Sequence, residues 1–235
     1  MPSDWLGERE RSMTYHVSFG FILDYWHALL VGLSTTLELT GICVMLGVLL
    51  GFVLSLMRTS ESRVIYAFSS IYVEFFRGTP VLIQIFWIFF CLPIVLHIDI
   101  GNLASAIIAL SLYMGAISCE TFRAAMKAIA RDQHDACVAL GLGPLTKTAY
   151  IIFPQTILRA IPTLLSNTVS LFKESSLVSA VGMSDLLYVG QNIATRTFHP
   201  VEILTTVALM YFAIAFPLTR AVTILEQELL RKIEA

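Results

Sequence analysis

Charge is what this chain has least of. Asp, Glu, Lys and Arg make up 14% of its 235 residues and hydrophobic residues 57%, where an average soluble domain has about 25% and about 45 to 50%. So little charge cannot dress a soluble surface of this size, which leaves an integral membrane protein. The net charge of −2 adds little, because distribution matters more than the sum, and no nucleic-acid partner is expected. Cysteine is sparse too. Cys43, Cys91, Cys119 and Cys137 lack metal-ligand spacing and three sit in apolar runs, so they read as packing residues, with no disulfide framework and no metal site. His16, His27, His97, His134 and His199 also lack ligand spacing. The mixed charges of Glu8, Arg9, Glu10 and Arg11 do not resemble a secretory leader, and no cleaved segment is expected. A Gly-rich loop ending in Lys-Ser or Lys-Thr is missing, and so is a paired nucleophile and base, so neither nucleotide binding nor bond chemistry is expected of this chain.

What is present is a series of uncharged runs near the roughly 20 residues that a helix needs to cross a bilayer core. Ala28–Met57 carries one charge, Glu38, and is closed by Arg58, with Tyr25 and Trp26 placed as an interfacial aromatic belt. Gly47, Gly51 and Ser55 recur every four residues. Either they let another helix approach closely, or they reflect only the frequency of glycine in membrane helices. Thr59–Thr79 mixes Glu61, Arg63, Glu74 and Arg77 with apolar residues, the pattern of a helix at the interface or packed beside the bundle. Val81–Leu96, shortened or bounded by Pro93, and Leu103–Cys119, ending in Glu120 and Arg123, give second and third spans around a turn at Asp99 and Gly101. Ala160–Leu187 is interrupted by Asn167, Lys173 and Glu174, yet an ionisable pair at membrane depth faces protein or a water-filled cavity, and it is counted as the fourth span. A polar connection over 185–200 leads to a fifth span, Val201–Thr219, and a charged helical tail over 220–235. The expected organisation is an extracytoplasmic or interfacial segment, 1–25, and an all-α membrane domain, 26–225, with spans at about 28–57, 81–96, 103–120, 160–187 and 201–219.

Five crossings put Arg9, Arg11 and Arg196 on one side. Arg58, Arg63, Arg77, Arg123, Lys127, Arg131, Lys147, Arg159, Arg220, Arg231 and Lys232 lie on or border the other. The positive-inside rule then makes the N-terminus extracytoplasmic and the C-terminus cytoplasmic, together with a polar island over 130–155. In that island Asp132 can cap a helix start, with Asp135 three positions on, where a carboxylate favours the positive helix end. Ala136, Ala139 and Leu140 share a face, Gly141 supplies a stop, and Gly143-Pro144 restarts the chain with Pro144 in a first helical turn. A short helix, a sharp turn and a second helix are expected.

The island has a specific resemblance. Asp135-Ala136-Cys137, three residues, Gly141, nine residues, then Ile151-Ile152-Phe153-Pro154 resembles the EAA loop of importer-type ATP-binding cassette permeases, with Asp135 for Glu, Cys137 for Ala and Phe153 for Leu. Val73-Glu74-Phe75-Phe76-Arg77-Gly78-Thr79-Pro80, followed by Val81-Leu82-Ile83-Gln84, resembles a signature of polar amino acid permeases, the histidine and glutamine permease-like group. So does Lys173-Glu174-Ser175-Ser176-Leu177 after Asn167. The resemblance runs from about Leu30 to the C-terminus and implies a type I ABC importer permease-like fold with five transmembrane helices and a cytoplasmic coupling helix.

It further implies a bacterial inner-membrane permease that pairs with a second permease copy or paralogue and docks two cytoplasmic ATPase subunits, which bind the ATP and Mg. The substrate, a polar amino acid, would arrive from an extracytoplasmic solute-binding protein. Asp135, Ala136, Cys137, Ala139, Leu140, Gly141 and Leu142 would then occupy a groove on the ATPase. Lys173 and Glu174 are candidates for the translocation pathway or, equally, a packing pair at a span end; as helical neighbours they point about 100° apart and cannot pair with each other. Glu38 and Glu120 are weaker pathway candidates, either of which could instead mark a span end. Arg77-Gly78-Thr79-Pro80 reads as a structural corner, because Pro80 holds Thr79 extended. The rival reading is an ion-coupled secondary transporter relaying through Lys173, Glu174 and Glu38. A coupling helix has no use in it.

Overall fold

The computed structural model describes residues 19–60, 62–143 and 146–234. The segment expected over 1–25 lies outside them up to residue 18, and so does Pro144. No strand occurs among the described residues.

The first helix, α1, spans Ile22–Met57, reaching back past the expected start, with Arg58 as its C-cap. No proline or glycine pair interrupts it, and at about 1.5 Å per residue it is about 54 Å long, more than the roughly 30 Å hydrocarbon core. Its buried hydroxyls bond back within the helix, Thr36 to the Gly32 carbonyl at 3.0 Å and Thr40 to that of Thr36 at 2.8 Å. Burial therefore leaves neither of them unsatisfied.

The centre of the bundle is α4, Asn102–Lys127. In its most apolar stretch 56% of the residues are buried, against 39% in α1 and 22% in the last helix. The small residues of α1 meet it directly. A Cβ at Gly47 would stand 2.5 Å from the Met114 Cβ, and one at Gly51 would stand 2.5 Å from the Ser118 Cβ and 2.7 Å from the Gly115 carbonyl oxygen. At Gly51 the obstacle includes backbone, which cannot turn aside. Gly51→Ala should therefore destabilise the protein by about 1–3 kcal/mol through overpacking. A lowered apparent melting temperature reads this out, with Gly41→Ala as control, since nothing lies within 4 Å of a Cβ there. Equal melting of the two variants would contradict the close crossing.

Between these helices, α2, Arg63–Gly78, and α3, Val81–Leu96, bend by 107° at the Thr79-Pro80 break. The bundle side of α2 is fixed by Ser69, whose hydroxyl donates to the Leu54 carbonyl at 2.9 Å, and by Tyr72, which donates to the Leu112 carbonyl at 2.8 Å. One face of α2 packs on the bundle through Ser69 and Val73, while Val64, Phe68, Ile71 and Phe75 on another face are exposed. Pro93 does not end α3. A π turn over Trp87–Cys91, in which the Leu92 amide donates to the Trp87 carbonyl, widens the helix just before the proline and the chain continues to Leu96. His97, at φ 54°, makes the stop.

After the short helix α5, Arg131–Ala139, a second π turn over Lys147–Ile152 leads into α6, Phe153–Glu174, and absorbs Pro154 in the same way. The expected span over 160–187 is thus not one rod. The α-helix ends at Glu174, a 3-10 turn runs over Ser175–Val181, and Gly182 closes it at φ 74°. The hydroxyls of Ser175 and Ser176 bond back to the Phe172 and Lys173 carbonyls, both at 2.8 Å, which favours the tighter winding.

The connection over 185–200 contains a helix of its own, α7, Leu186–Thr197. Buried Asp185 caps it by accepting from the Tyr188 amide at 2.9 Å and the Leu187 amide at 3.3 Å, while Thr36 of α1 accepts from the Leu186 amide at 3.0 Å. The last helix, α8, Pro200–Glu234, runs on through Pro217, so the tail expected from residue 220 continues the span without a break.

Among the described residues, α1, α4 and α8 are long and apolar enough to cross a membrane and the bent pair of α2 and α3 gives at most one more; α6, expected as the fourth of five spans, does not meet that measure, because its apolar run is broken by polar and charged residues. All four cysteines are free, with Cys43, Cys119 and Cys137 buried and Cys91 exposed.

Candidate functional site

The polar loop after α4 builds α5 as a small knob. Its N-cap is Ala130, which has no capping side chain; Asp132 does not cap but lies in the first turn, where its charge still favours the positive helix end. The C-terminus is closed by a Schellman arrangement. The Leu142 amide donates to the Cys137 carbonyl at 3.0 Å and the Gly141 amide to that of Val138 at 2.9 Å, with Gly141 at φ 66°.

Asp135, Ala136, Ala139 and Gly141 are exposed, Leu142 is half-buried, and the apolar side chains of Leu140 and Val138 are 74% and 69% exposed. Cys137 is the exception: at 2% exposure it faces its own chain and anchors the helix, so it cannot belong to an outward contact face. Val138, which carried no role in the sequence reading, joins Leu140 on the surface instead. A second tie runs from Gln155 of α6, whose amide donates to Gln133 of α5 at 3.0 Å. The helix α5 is thus joined to α4 through the connecting chain and to α6 by this exposed bond.

At one end of α4, Glu120 is gripped by three cations. Arg58 and Arg123 both form ion pairs with it, Arg123 also donating through Nε at 2.9 Å, and Arg77 lies 3.7 Å away. Arg58 and Glu120 are nearly enclosed, their side chains 8% and 16% exposed. Arg58 also donates to Ser70 at 3.3 Å and stacks over the Tyr66 ring at 6.0 Å. Glu120 thus binds the ends of α1, α2 and α4 together, and Arg77 of the corner belongs to this cluster.

The rest of the corner is held by a side chain that the sequence left without a role. Buried Gln84 donates from its amide nitrogen to the Phe76 carbonyl at 2.8 Å and the Thr79 carbonyl at 3.0 Å, at the break between α2 and α3, and to the Thr79 hydroxyl at 2.8 Å, which itself donates to the Phe75 carbonyl at 2.9 Å. Thr79 is extended at ψ 142° and Gly78 is exposed.

Lys173 and Glu174 form no ion pair, although the Lys173 charge acts on the Glu174 carboxyl. Glu174 is half-buried and accepts from the Tyr113 hydroxyl of α4 at 3.2 Å, and Asn167 donates to Thr121 of the same helix at 3.0 Å. Two of the three polar residues that interrupt the apolar run in α6 are thus met by α4. Lys173 is exposed, as is Glu38 in the middle of α1, and neither side chain makes an ion pair or hydrogen bond among the described residues.

Apolar helices packed around a central one, an enclosed charge cluster at the end of that helix and a knob-like helix on the loop that follows define the transmembrane subunit of a transport system. Residues 44–231 match the model of the family described as binding-protein-dependent transport system inner membrane component, and the chain belongs to that family of ABC-type permeases. Among its relatives is the arginine transport system permease protein ArtQ of Bacillus subtilis, 32% identical over 81% of this chain and 87% of that one. Another is the glutamate/aspartate import permease protein GltK of Escherichia coli, 30% identical over 91% and 98%. A solved structure described as an amino acid ABC transporter with histidines covers 91% of this chain and 100% of its own, at 29% identity and a TM-score of 0.87. A chain of the methionine transporter MetNI shares the fold at 19% identity and a TM-score of 0.69.

Proposed function

We propose that this chain is the permease subunit of an ATP-driven importer for a polar amino acid. The observation that carries the reading is α5, a capped helix whose outward residues, Asp135, Ala136, Val138, Ala139 and Leu140, are left to solvent while Cys137 and the Gln133–Gln155 bond tie it to the bundle. Such a knob is suited to a groove on a cytoplasmic ATPase. The relatives named for arginine and for glutamate and aspartate support the substrate class. Two ATPase subunits would bind ATP and Mg, a second permease copy or paralogue would complete the pathway, and a solute-binding protein would deliver the substrate outside. The permease itself would perform no bond chemistry. If α6 crosses as well, as a span shielded by the bundle, five crossings would put the N-terminus outside and the C-terminus inside.

Closure of the ATPases would displace α5, and with it α4 and α6, as a rigid-body change between two packings. Within the pathway Lys173 and Glu38 are the candidates, since both side chains are exposed; Glu174 accepts from Tyr113, and Glu120 is assigned to holding helix ends together. The corner over Arg77 to Pro80 would set the course of α3.

Uptake into vesicles that hold the assembled complex tests the proposal. Amino acid uptake should require ATP hydrolysis and the binding protein. Uptake that persists without ATP but collapses with the ion gradient would replace this reading by secondary transport. In the same vesicles Lys173→Met should change the uptake rate or its substrate preference with assembly intact, whereas unchanged uptake would make Lys173 a packing residue.

A further inference from the structure

Where α4, α6 and α8 meet, at the end of α4 from which the loop to α5 leaves, lies a hollow of about 260 Å³, lined by Thr121 of α4, Leu158, Arg159, Pro162 and Thr163 of α6 and Glu226 of α8 among others. Its walls carry both signs of charge. Arg159 is half-buried and Glu226 exposed, they stand on different helices, and neither makes an ion pair or a hydrogen bond among the described residues. Pro162 has no amide hydrogen to give, so the Leu158 carbonyl lacks its usual helical donor.

A polar face of α6 leads into this hollow. Thr163, Ser166, Ser170 and Lys173 follow Arg159 at helical spacing, and all four are exposed. Thr156 and Thr168 of the same helix bond back to the Ile152 and Leu164 carbonyls, both at 2.9 Å, whereas the hydroxyls of Thr163, Ser166 and Ser170 have no partner among the described residues. Lipid chains cannot satisfy them, so this face calls for water or a polar solute beside it.

We infer that the hollow holds the zwitterion of an α-amino acid at the inner end of that face. Arg159 offers paired N–H donors to the carboxylate, Glu226 accepts from the ammonium, and the Leu158 carbonyl and Thr163 hydroxyl add neutral partners. A lone anion or cation would leave one charge of the hollow unanswered, whereas a molecule carrying both signs answers each. The inference rests on the transport reading, in which this is the last stop before release into the cytoplasm.

The test is protection of a thiol placed in the hollow of the assembled complex. Ala124 is exposed and lines the same hollow, and Ala124→Cys is made on a Cys91→Ser background, which removes the exposed native thiol. A water-soluble maleimide should label it. Arginine, glutamine and glutamate are the probes, and one that is taken up should slow labelling about ten-fold at about ten times its half-protecting concentration, because only the empty fraction reacts. Propionate and ethylamine, which each carry one of the two charges, should not protect. Arg159→Gln and Glu226→Gln should each abolish protection with the unprotected rate unchanged, and Arg159→Lys should keep part of it. Ala104→Cys, at the other end of α4, should label at one rate with and without amino acid. Labelling indifferent to every amino acid, protection that survives both substitutions, or equal protection by propionate or ethylamine overturns the inference. An Ala124→Cys thiol that the complex shields completely does so in favour of a protein that covers the hollow. An amino acid taken up with ATP that fails to protect overturns the hollow alone, and one that protects yet enters without ATP overturns the transport reading alone.

Discussion

Glu120→Gln is expected to lower the apparent melting temperature of the purified protein by roughly 6–12 °C. Removing one member of a buried ion pair costs about 3–5 kcal/mol because the other charge is left enclosed. Arg58, at 8% exposure, is in that position, whereas Arg123 and Arg77 are 35% and 52% exposed and can turn to water. The lower bound of about 3 kcal/mol is therefore taken, and a chain of this size shifts by about 2–4 °C per kcal/mol.

The double variant Arg58→Met with Glu120→Gln discriminates between causes. It removes the enclosed charge together with its counter-charge and should recover more than half of the loss, since an apolar replacement of a buried pair is often nearly neutral. A shift of under about 1 °C in Glu120→Gln would mean that the cluster does not hold the helix ends. Normal melting together with lost uptake would return Glu120 to the translocation pathway.

What could be read from the sequence is what is encoded locally. Arg58 marks the end of α1, where a cation follows a run with one charge and favours the negative helix end, and Gly141 ends α5 because it alone there takes a left-handed backbone without strain. The spacing of Gly47 and Gly51 left open either a face for close approach or only the frequency of glycine in membrane helices; the structure takes the first, and nothing local named α4 as the helix that meets it. The residues that tie the structure together are different in kind. Arg58 and Glu120 are 62 positions apart, Tyr113 and Glu174 are 61 apart, and no periodicity connects either pair. Glu120 was therefore legible as a charge and illegible as a hub. The π turns before Pro93 and Pro154 also escape a reading based on 3.6-residue repeats, because a wide turn holds an extra residue and shifts the side-chain phase, and a run apolar on all faces does not display that shift. Cys137 shows the converse limit: it sits in a motif whose neighbours point outward, and only the tertiary fold decides that it points in. Asp185, directly before an apolar-periodic run, carried a cap signal that the sequence reading passed over.

The second large effect belongs to the knob. Gly141→Val should cut ATP-driven uptake about ten-fold, with membrane insertion and the yield of the complex unchanged. Nothing stands within 4 Å of a Cβ at this position, so the substitution meets no neighbour and the whole penalty is backbone strain at φ 66°. For an L residue that strain is about 1–2 kcal/mol, and about 1.4 kcal/mol is ten-fold in an equilibrium. The strain acts on a nine-residue helix whose last turn depends on the Leu142 and Gly141 amides reaching back to Cys137 and Val138.

If the turn relaxes, Leu140 and Val138 leave the positions in which a groove would grip them, and closure of the ATPase no longer moves α4 and α6. Hydrolysis would then continue while transport lags. Gly141→Asn, which tolerates a left-handed backbone, should stay within about two-fold of the parent. The order Gly, Asn, Ala, Val in uptake per ATP hydrolysed is the signature of a conformational cause. An Asn variant as poor as Val would point to a contact that only glycine permits, and full coupling in the Val variant would detach the turn from transport altogether.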